Sequence, residues 1–358
     1  MKTNSQMIYV HIPFCTRKCF YCGFISVQNK NIWEQYFNSL YEEIIKRKNN
    51  IAVSSIYFGG GTPSIVDFKY INKTIQLIKD NYNVLKNAEI TLEANPTTEF
   101  ALKLEQYKQA GFNRISFGVQ SLNNDLVYNL GRNQKKADVL FCLKKAVKLF
   151  DNISADLLIG LQDQKESDIL TDIETLDNVG VKHISVYMLM VEENTKLKEL
   201  VDKNIYKPLS DDQSVDLYEK VYKKLQSLKY ERYEISNFCK KDYYSRHNLG
   251  YWQMKNYLGF GASAHSFENN KRYFNSNDIQ TYCLNNVVET EILDQNQLNE
   301  EVIMLGLRTC FGVEEKVIKN KTELEKLLKL GLIKKQGERI VIDENHFNIT
   351  NQIILKLI

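Results

Sequence analysis

Three cysteines fall within eight positions of the stretch IPFCTRKCFYCGF: Cys15, Cys19 and Cys22, spaced C-x3-C-x2-C. Thiolates are soft ligands, so the first chemistry to weigh is metal binding. A closed zinc site needs four protein ligands in a tetrahedron. No fourth candidate stands in the loop, and His11 belongs to the strand that precedes it. An iron–sulfur cube takes thiolates, and three of them leave one iron open to a small molecule bearing an amine and a carboxylate. Free cysteines are often plain core residues, but Pro13 and the flanking strand place these three in a loop. A second stretch, GGGTPS (59–64), has no Cβ atoms over three residues. It lets the backbone approach a ligand closely and offers N–H groups to it, with the Thr62 hydroxyl beside them.

These residues need a scaffold, and the sequence specifies one. Short β-rich runs at 7–12, 55–58, 89–93, 114–118, 153–157 and 183–188 alternate with helical stretches. Trp33, Tyr36, Phe37, Leu40, Ile44 and Ile45 recur at helical spacing, and similar patterns lie near 70–78, 100–110, 137–149 and 169–179. Six strands, each followed by a helix, imply a parallel sheet with right-handed crossovers. That is too few strands for a closed eight-stranded barrel, so the expected fold is α/β, an open and incomplete (βα)6 barrel. Active-site groups of such a barrel sit at the C-terminal strand ends. The cysteine loop follows strand one and GGGTPS follows strand two. Glu93 closes strand three, Gln120 follows strand four and Asp156 lies in strand five.

After residue 196 the rhythm changes. A long amphipathic helix is expected over 212–228, then the Gly/aromatic-rich stretch HNLGYWQMKNYLGFGASAH. Helices at 300–307 and 322–330, the ribbon LIKKQGERIVI and a closing helix over 351–358 suggest a small α+β, winged-helix-like C-terminal domain. The expected division is 1–195 for the partial barrel, 196–295 for its extension and 296–358 for the C-terminal domain.

Composition narrows the classes. With 358 residues, 43% hydrophobic and 25% charged, the chain reads as an ordinary globular protein of one large unit plus an appendage. A net charge of +3 is not that of a dedicated nucleic-acid binder. No window approaches the roughly 18 apolar residues of a membrane span, and the first residues lack the apolar core of a secretory signal. Seven cysteines, three of them crowded, argue against a disulfide framework and for a reducing cytoplasm.

The cysteine spacing followed by GGGTP resembles the radical S-adenosylmethionine (SAM) superfamily. The resemblance implies a [4Fe–4S] cluster at Cys15, Cys19 and Cys22, with SAM on the fourth iron and a 5′-deoxyadenosyl radical as the chemistry supplied. It also implies SAM contacts from Tyr9, Tyr21, Gly60, Gly61, Thr62, Glu93, Gln120, Arg132, Asp156 and His265. Longer stretches, YVHIPFC, IYFGGGTPS, EITLEANP, NRISFGVQS, ADLLIGL, YEISNF, SRHNLGYW and YLGFGASAHS, are similar to the coproporphyrinogen-dehydrogenase-like group over nearly the whole chain. True dehydrogenases of that group carry a fourth cysteine where Phe24 stands, and a longer N-terminal extension. Both features resemble instead the HemW-type subgroup of heme chaperones, which lack the dehydrogenase activity. HNLGYW resembles that subgroup's HNxxYW motif, implying heme contacts from His247, Tyr251 and Trp252. Imidazole ligates heme iron and flat rings pack on a porphyrin; a structural loop with a satisfied histidine is the plain alternative.

Three positions depart from the subgroup: Gly23 replaces an Asp, Asn133-Gln134 lacks a His, and Gln162 replaces a Pro. The leading expectation is a cytoplasmic heme chaperone, with a peripheral place at the inner membrane face as the alternative, passing heme to acceptor proteins. Alternatives are a coproporphyrinogen III dehydrogenase acting by radical decarboxylation, which Phe24 argues against, and a radical methyltransferase of anaerobic heme breakdown, which the C-G-F form resembles. Nucleic-acid binding by the C-terminal part is disfavoured by charge. Whether SAM is cleaved productively, and whether the chain is a homodimer, stay open; no residue is assigned a catalytic role.

Overall fold

The computed structural model describes residues 5–285 and 288–358. The six expected strands are present as β1 (Ser5–Ile12), β2 (Ala52–Gly60), β3 (Asn83–Ala94), β4 (Arg114–Gln120), β5 (Asn152–Ile159) and β6 (His183–Met188). They pair in parallel and in chain order, which makes the open α/β barrel that the alternation predicts.

The sheet does not stop at six. β7 (Glu231–Arg232) and β8 (Asn237–Cys239) add antiparallel strands beyond β6. Beyond β1 lies β9 (Tyr257–Phe260), parallel to it, then β10 (His265–Glu268), β11 (Lys271–Asn275) and β12 (Val288–Ile292). The edges of the barrel are thereby paired rather than left open. These strands escape a reading by pattern because they are only two to five residues long.

Successive residues of β1 to β6 alternate between two unlike faces. Ile8, Val10, Ile12, Ile56, Phe58, Ile90, Leu92, Ile115, Phe117, Ile153, Ala155, Ile184 and Val186 share one apolar core with the surrounding helices. The inner face instead carries Tyr9, His11, Ser55, Tyr57, Glu89, Glu93, Arg114, Ser154, Asp156 and His183. Several buried polar atoms there, Thr91 Oγ1, Arg114 Nε and Nη1, and His183 Nδ1, have no hydrogen-bond partner among the described residues. Orphaned polar atoms in such a place are satisfied by water or a ligand.

The helix expected over 100–110 is two, Thr98–Ala101 and Leu104–Ala110. The turn between them leaves Leu102 at the surface and keeps Phe100, Ala101, Leu104 and Tyr107 buried. The long helix runs Asp211–Ser227 and starts on a capping box, Ser210 with Gln213. HNLGYW, part of the stretch read from sequence as Gly/aromatic-rich, lies in a helix, Arg246–Trp252, capped by Ser245.

At the C-terminus, helices Gln295–Gly306, Lys321–Lys329 and Thr350–Leu357 enclose a sheet of β13 (Val313–Glu314), β14 (Ile333–Gln336) and β15 (Arg339–Ile342) in the order β13-β15-β14. It has its own apolar core, with Ile303, Leu307, Leu324, Ile340 and Ile354 at its centre. Arg232 ties it to the barrel: its guanidinium lies 4.0 Å over the Phe347 ring and donates to Glu344 O at 3.0 Å. Among the described residues no helix is long and apolar enough to cross a membrane.

Candidate functional site

The cysteine loop is held at both ends by backbone. Cys15 N donates to Val27 O at 3.1 Å and Val27 N to Pro13 O at 2.8 Å, which closes the loop on itself. Phe14, fully buried, anchors its root edge-on against Tyr36 at 5.1 Å. Phe20 N donates to Leu130 O, and Phe20 O accepts from Leu197 N. The Phe20 ring also occupies the space where a side chain on Gly131 (φ +76°) would stand. All three thiols are free and half-buried, and burial pushes the Cys22 thiol up. Among the described residues no His, Cys, Asp or Glu trio gathers as a single ion would need. Thiolates on one zinc must converge to about 2.3 Å from it, whereas a cube spreads its ligands over separate irons.

The GGGTPS turn packs directly on that loop. Gly61 N donates to Ile12 O at 2.9 Å, Thr62 N to Phe14 O at 2.8 Å, and Thr62 Oγ1 lies 3.4 Å from Cys15 Sγ. A Cβ on Gly61 would meet three backbone atoms at 2.6–2.9 Å, so only glycine fits. Gly60, at φ +108°, faces the His11 ring in the same way. Glu93 closes the turn from below: Tyr57 Oη donates to Oε1 at 2.7 Å and Gly60 N to Oε2 at 3.3 Å. Burial pushes the Glu93 carboxyl up to about 7. Tyr9 stacks on Tyr57 and shares a hydrogen bond of 2.9 Å with His11 Nδ1.

Arg132 is more engaged than the sequence suggests. Nη2 donates to Asn95 Oδ1 at 2.7 Å and to Gly118 O at 2.9 Å, and Nη1 to Tyr21 Oη at 3.2 Å, with Cys19 Sγ at 3.8 Å. The fork expected to face a carboxylate of SAM is spent on the protein and holds the cysteine loop against the barrel. Tyr21 is likewise a partner of Arg132. Gln134, in the segment that lacks the expected His, accepts from Arg132 and donates to Val119 O at 2.7 Å. Gln162 uses an N–H that proline lacks, donating to Tyr206 Oη at 3.0 Å. Gly23 leaves the room that the Glu192 carboxylate fills.

Gln120, in the left-handed region at φ +66°, and Asp156 complete this end of the inner face. Gly118 pairs with Asp156 across the sheet, and its missing side chain opens the space toward which Gln120 Nε2 reaches. Burial raises the Asp156 carboxyl. Tyr57, Asn95 and Gln134 were not singled out from sequence. The alternation of β2 marks Tyr57 as inward-facing, and Asn95 follows β3 directly; Gln134 was noted only as part of the Asn133-Gln134 departure, without a role.

The HNLGYW histidine lies elsewhere. His247 is fully buried, its Nδ1 hydrogen-bonded to Ser55 Oγ at 2.9 Å and its Nε2 to Tyr251 Oη at 3.0 Å. Its ring stacks on Tyr57 at 5.0 Å, and the N–H groups of Arg246 and His247 donate to the buried Glu89 carboxylate. Ser55 and Gly60 are five residues apart on β2, about 16 Å at ~3.3 Å per residue. The expected heme ligand is therefore at the opposite end from the cysteines, with both nitrogens occupied; freeing one forfeits a buried hydrogen bond of about 1 kcal/mol. Tyr251 is its partner rather than a separate platform, and Trp252 closes the same helix, half-buried. His265, by contrast, stands at the cysteine end, exposed, on β10.

A radical SAM superfamily model matches residues 9–176. Heme chaperone HemW of Bacillus subtilis is 36% identical over 329 residues, which cover 86% of this chain and 84% of that protein. The chain belongs to the HemW family of radical SAM proteins. The HemW of Lactococcus lactis is 29% identical over 100% of this chain and 98% of its own. In fold, the chain is similar to the Escherichia coli coproporphyrinogen III oxidase HemN, with a TM-score of 0.85, 20% identity, and coverage of 99% and 90%.

Membership of the superfamily implies a [4Fe–4S] cluster and SAM, and the residues present fit both. Three free thiols in a backbone-closed loop, a glycine turn that no Cβ could enter, and a buried His11 Nε2 left without a partner among the described residues are features that suit such a pair.

Proposed function

We propose that the chain is a heme chaperone that carries a [4Fe–4S] cluster and SAM, binds heme and delivers it to acceptor proteins. The observation that carries this reading is 36% identity to a heme chaperone across 86% of the chain. Phe24, where dehydrogenases place a fourth cysteine, supports it. When bound, the cluster and SAM supply one-electron chemistry; the chain's own residues hold and screen them.

Cys15, Cys19 and Cys22 present the thiolates. The turn Gly60–Thr62, whose own N–H groups are bonded within the protein, gives the amino-acid end of SAM a wall free of bulky side chains, with the Thr62 hydroxyl beside it. Glu93 faces its amine, and Gln120 and Asp156 its sugar. Tyr9 gives this wall a flat surface, while Arg132 and Tyr21 keep the loop seated. A cationic amine beside Glu93 favours the ionised carboxylate, so SAM and a proton compete there. We assign residues 1–195 to the barrel, 196–295 to its extension and 296–358 to the C-terminal domain. The chain works in the cytoplasm, reaching acceptors at the inner face of the membrane, as a monomer or a homodimer.

The test is anaerobic reconstitution with iron and sulfide, then hemin titration by absorbance beside a chromatographic assay of coproporphyrinogen. Hemin binding without coproporphyrinogen consumption supports the chaperone. Turnover to protoporphyrinogen without hemin binding replaces it with the dehydrogenase.

A further inference from the structure

β4 ends on a strained residue. Gln120 has φ +66°, and Ser121 N donates to Val119 O at 2.9 Å, which closes a three-residue turn around it. Turns of this hand are rare and strained for a residue that carries a side chain. Most other residues with positive φ are easier to account for. Asp163, Asn194, Asn204, Asp242 and Asn269 are of types that tolerate it, and Lys229 and Met254 directly follow helix ends. The Gln120 turn also coincides with a register shift against β5, where Gly118 pairs with Asp156 but Gln120 with Leu157. A bulge of this kind re-aims the side chain beside it. Here it turns the Gln120 amide over Gly118, whose missing side chain leaves the room.

Backbone strain persists only where the surroundings over-determine it. Two side chains do so here. Gln134 Nε2 donates to the same Val119 O at 2.7 Å. The second brace is Asp172, on the helix Glu166–Val179. Ser121 Oγ donates to its Oδ2 at 2.7 Å, and Leu122 N donates to the same oxygen at 3.0 Å. Asp172 lies on the core face of that helix with Ile169, Ile173 and Leu176, and burial pushes its carboxyl up to about 6. A carboxyl among apolar side chains is a costly choice. Both hydrogen bonds it accepts among the described residues come from the two residues that follow Gln120, so it serves the turn rather than its own helix.

We propose that Asp172 is a positioning residue for SAM binding: it clamps Ser121 and Leu122 so that the Gln120 amide faces the sugar end of SAM. This rests on the reading above in which Gln120 faces that sugar. Asp172 sits in the helix layer behind β4 and acts only through the turn.

The experiment is SAM binding to the full, cluster-loaded chain under anaerobic conditions, measured by calorimetry, in a cycle of Asp172→Ala, Gln120→Ala and the double variant. Iron and sulfide content before each titration confirms loading. Removing the acceptor from two buried donors is expected to weaken SAM binding about tenfold. Asp172→Asn should restore it, since both bonds fall on one oxygen and a carbonyl oxygen can take its place. The double variant should bind no more weakly than Gln120→Ala alone, because the two residues act as one unit. If Asp172→Ala does not load its cluster, Ser121→Ala breaks the same link from the other side and is held to the same expectations. Wild-type affinity in Asp172→Ala, or an equal further loss when it is added to Gln120→Ala, overturns the inference while Gln120 keeps its role. Wild-type affinity in Gln120→Ala removes the Gln120 reading and the inference with it.

Discussion

Arg132 Nη1 lies 3.8 Å from Cys19 Sγ, joining a cysteine of the first loop to a residue 113 positions away. The same guanidinium bonds Tyr21, Asn95 and Gly118 O, so the loop that presents the thiols is fixed by a planar fork reaching back to β4. Lysine has one point charge in place of that fork. Arg132→Lys is therefore expected to fold but to keep less than half of its iron after desalting, measured as iron and sulfide per chain. Retention equal to wild type would show that the fork is dispensable.

Gly61→Ala tests the turn. A Cβ there meets Phe14 O, Phe14 N and Ile12 O, none of which can move without displacing the cysteine loop. Overpacking of this kind costs about 1–3 kcal/mol. The expected result is a lower denaturant midpoint together with SAM binding weakened tenfold or more.

Glu93 gives a pH dependence with a definite sign. Its folded pKa is raised by burial from 4.5 to about 7, so between those values the native state holds a proton that the unfolded chain has lost. Stability contributed by this group is thus greatest below pH 4.5 and falls as pH rises toward 7. SAM affinity should move the other way, weakening by up to about tenfold per pH unit below 7 as the carboxylate is protonated. Calorimetric titration of wild type and Glu93→Gln at pH 6 and 8 checks this: only the wild type should show the trend.

His247→Ala removes both hydrogen bonds and the stacking on Tyr57. A loss of about 2–4 kcal/mol is expected from a cavity plus two orphaned hydroxyls, seen as a lower denaturant midpoint. Unchanged stability would contradict the structural role given to this residue.

Much of this was legible in the sequence because it is local. The strand–helix beat gave the barrel, and Cys15, Cys19, Cys22 and Gly61 lie within a few residues of the turns that position them. The period-two alternation in IYVHI, SIYFG and EITLE also encodes the inner wall, and Tyr57 could have been read from it. What escaped depends on distant pairing. β9 to β12 are only four or five residues long, so no periodicity builds up. The partners of Arg132 come from four separate segments, and its guanidinium could as well have faced a ligand. HNLGYW offered a histidine and two aromatics in sequence, but helix geometry turns His247 onto Ser55 and Tyr251.

The most direct measure of the central claim is heme transfer. The cluster-loaded chain, charged with one equivalent of hemin and freed of excess, is mixed with apomyoglobin as a generic acceptor and followed by the shift of the Soret band. The account predicts stoichiometric hemin retention by the chain alone and complete transfer once the acceptor is present. A chain that holds no hemin after removal of the excess, or that never releases it to the acceptor, would contradict a carrier of heme.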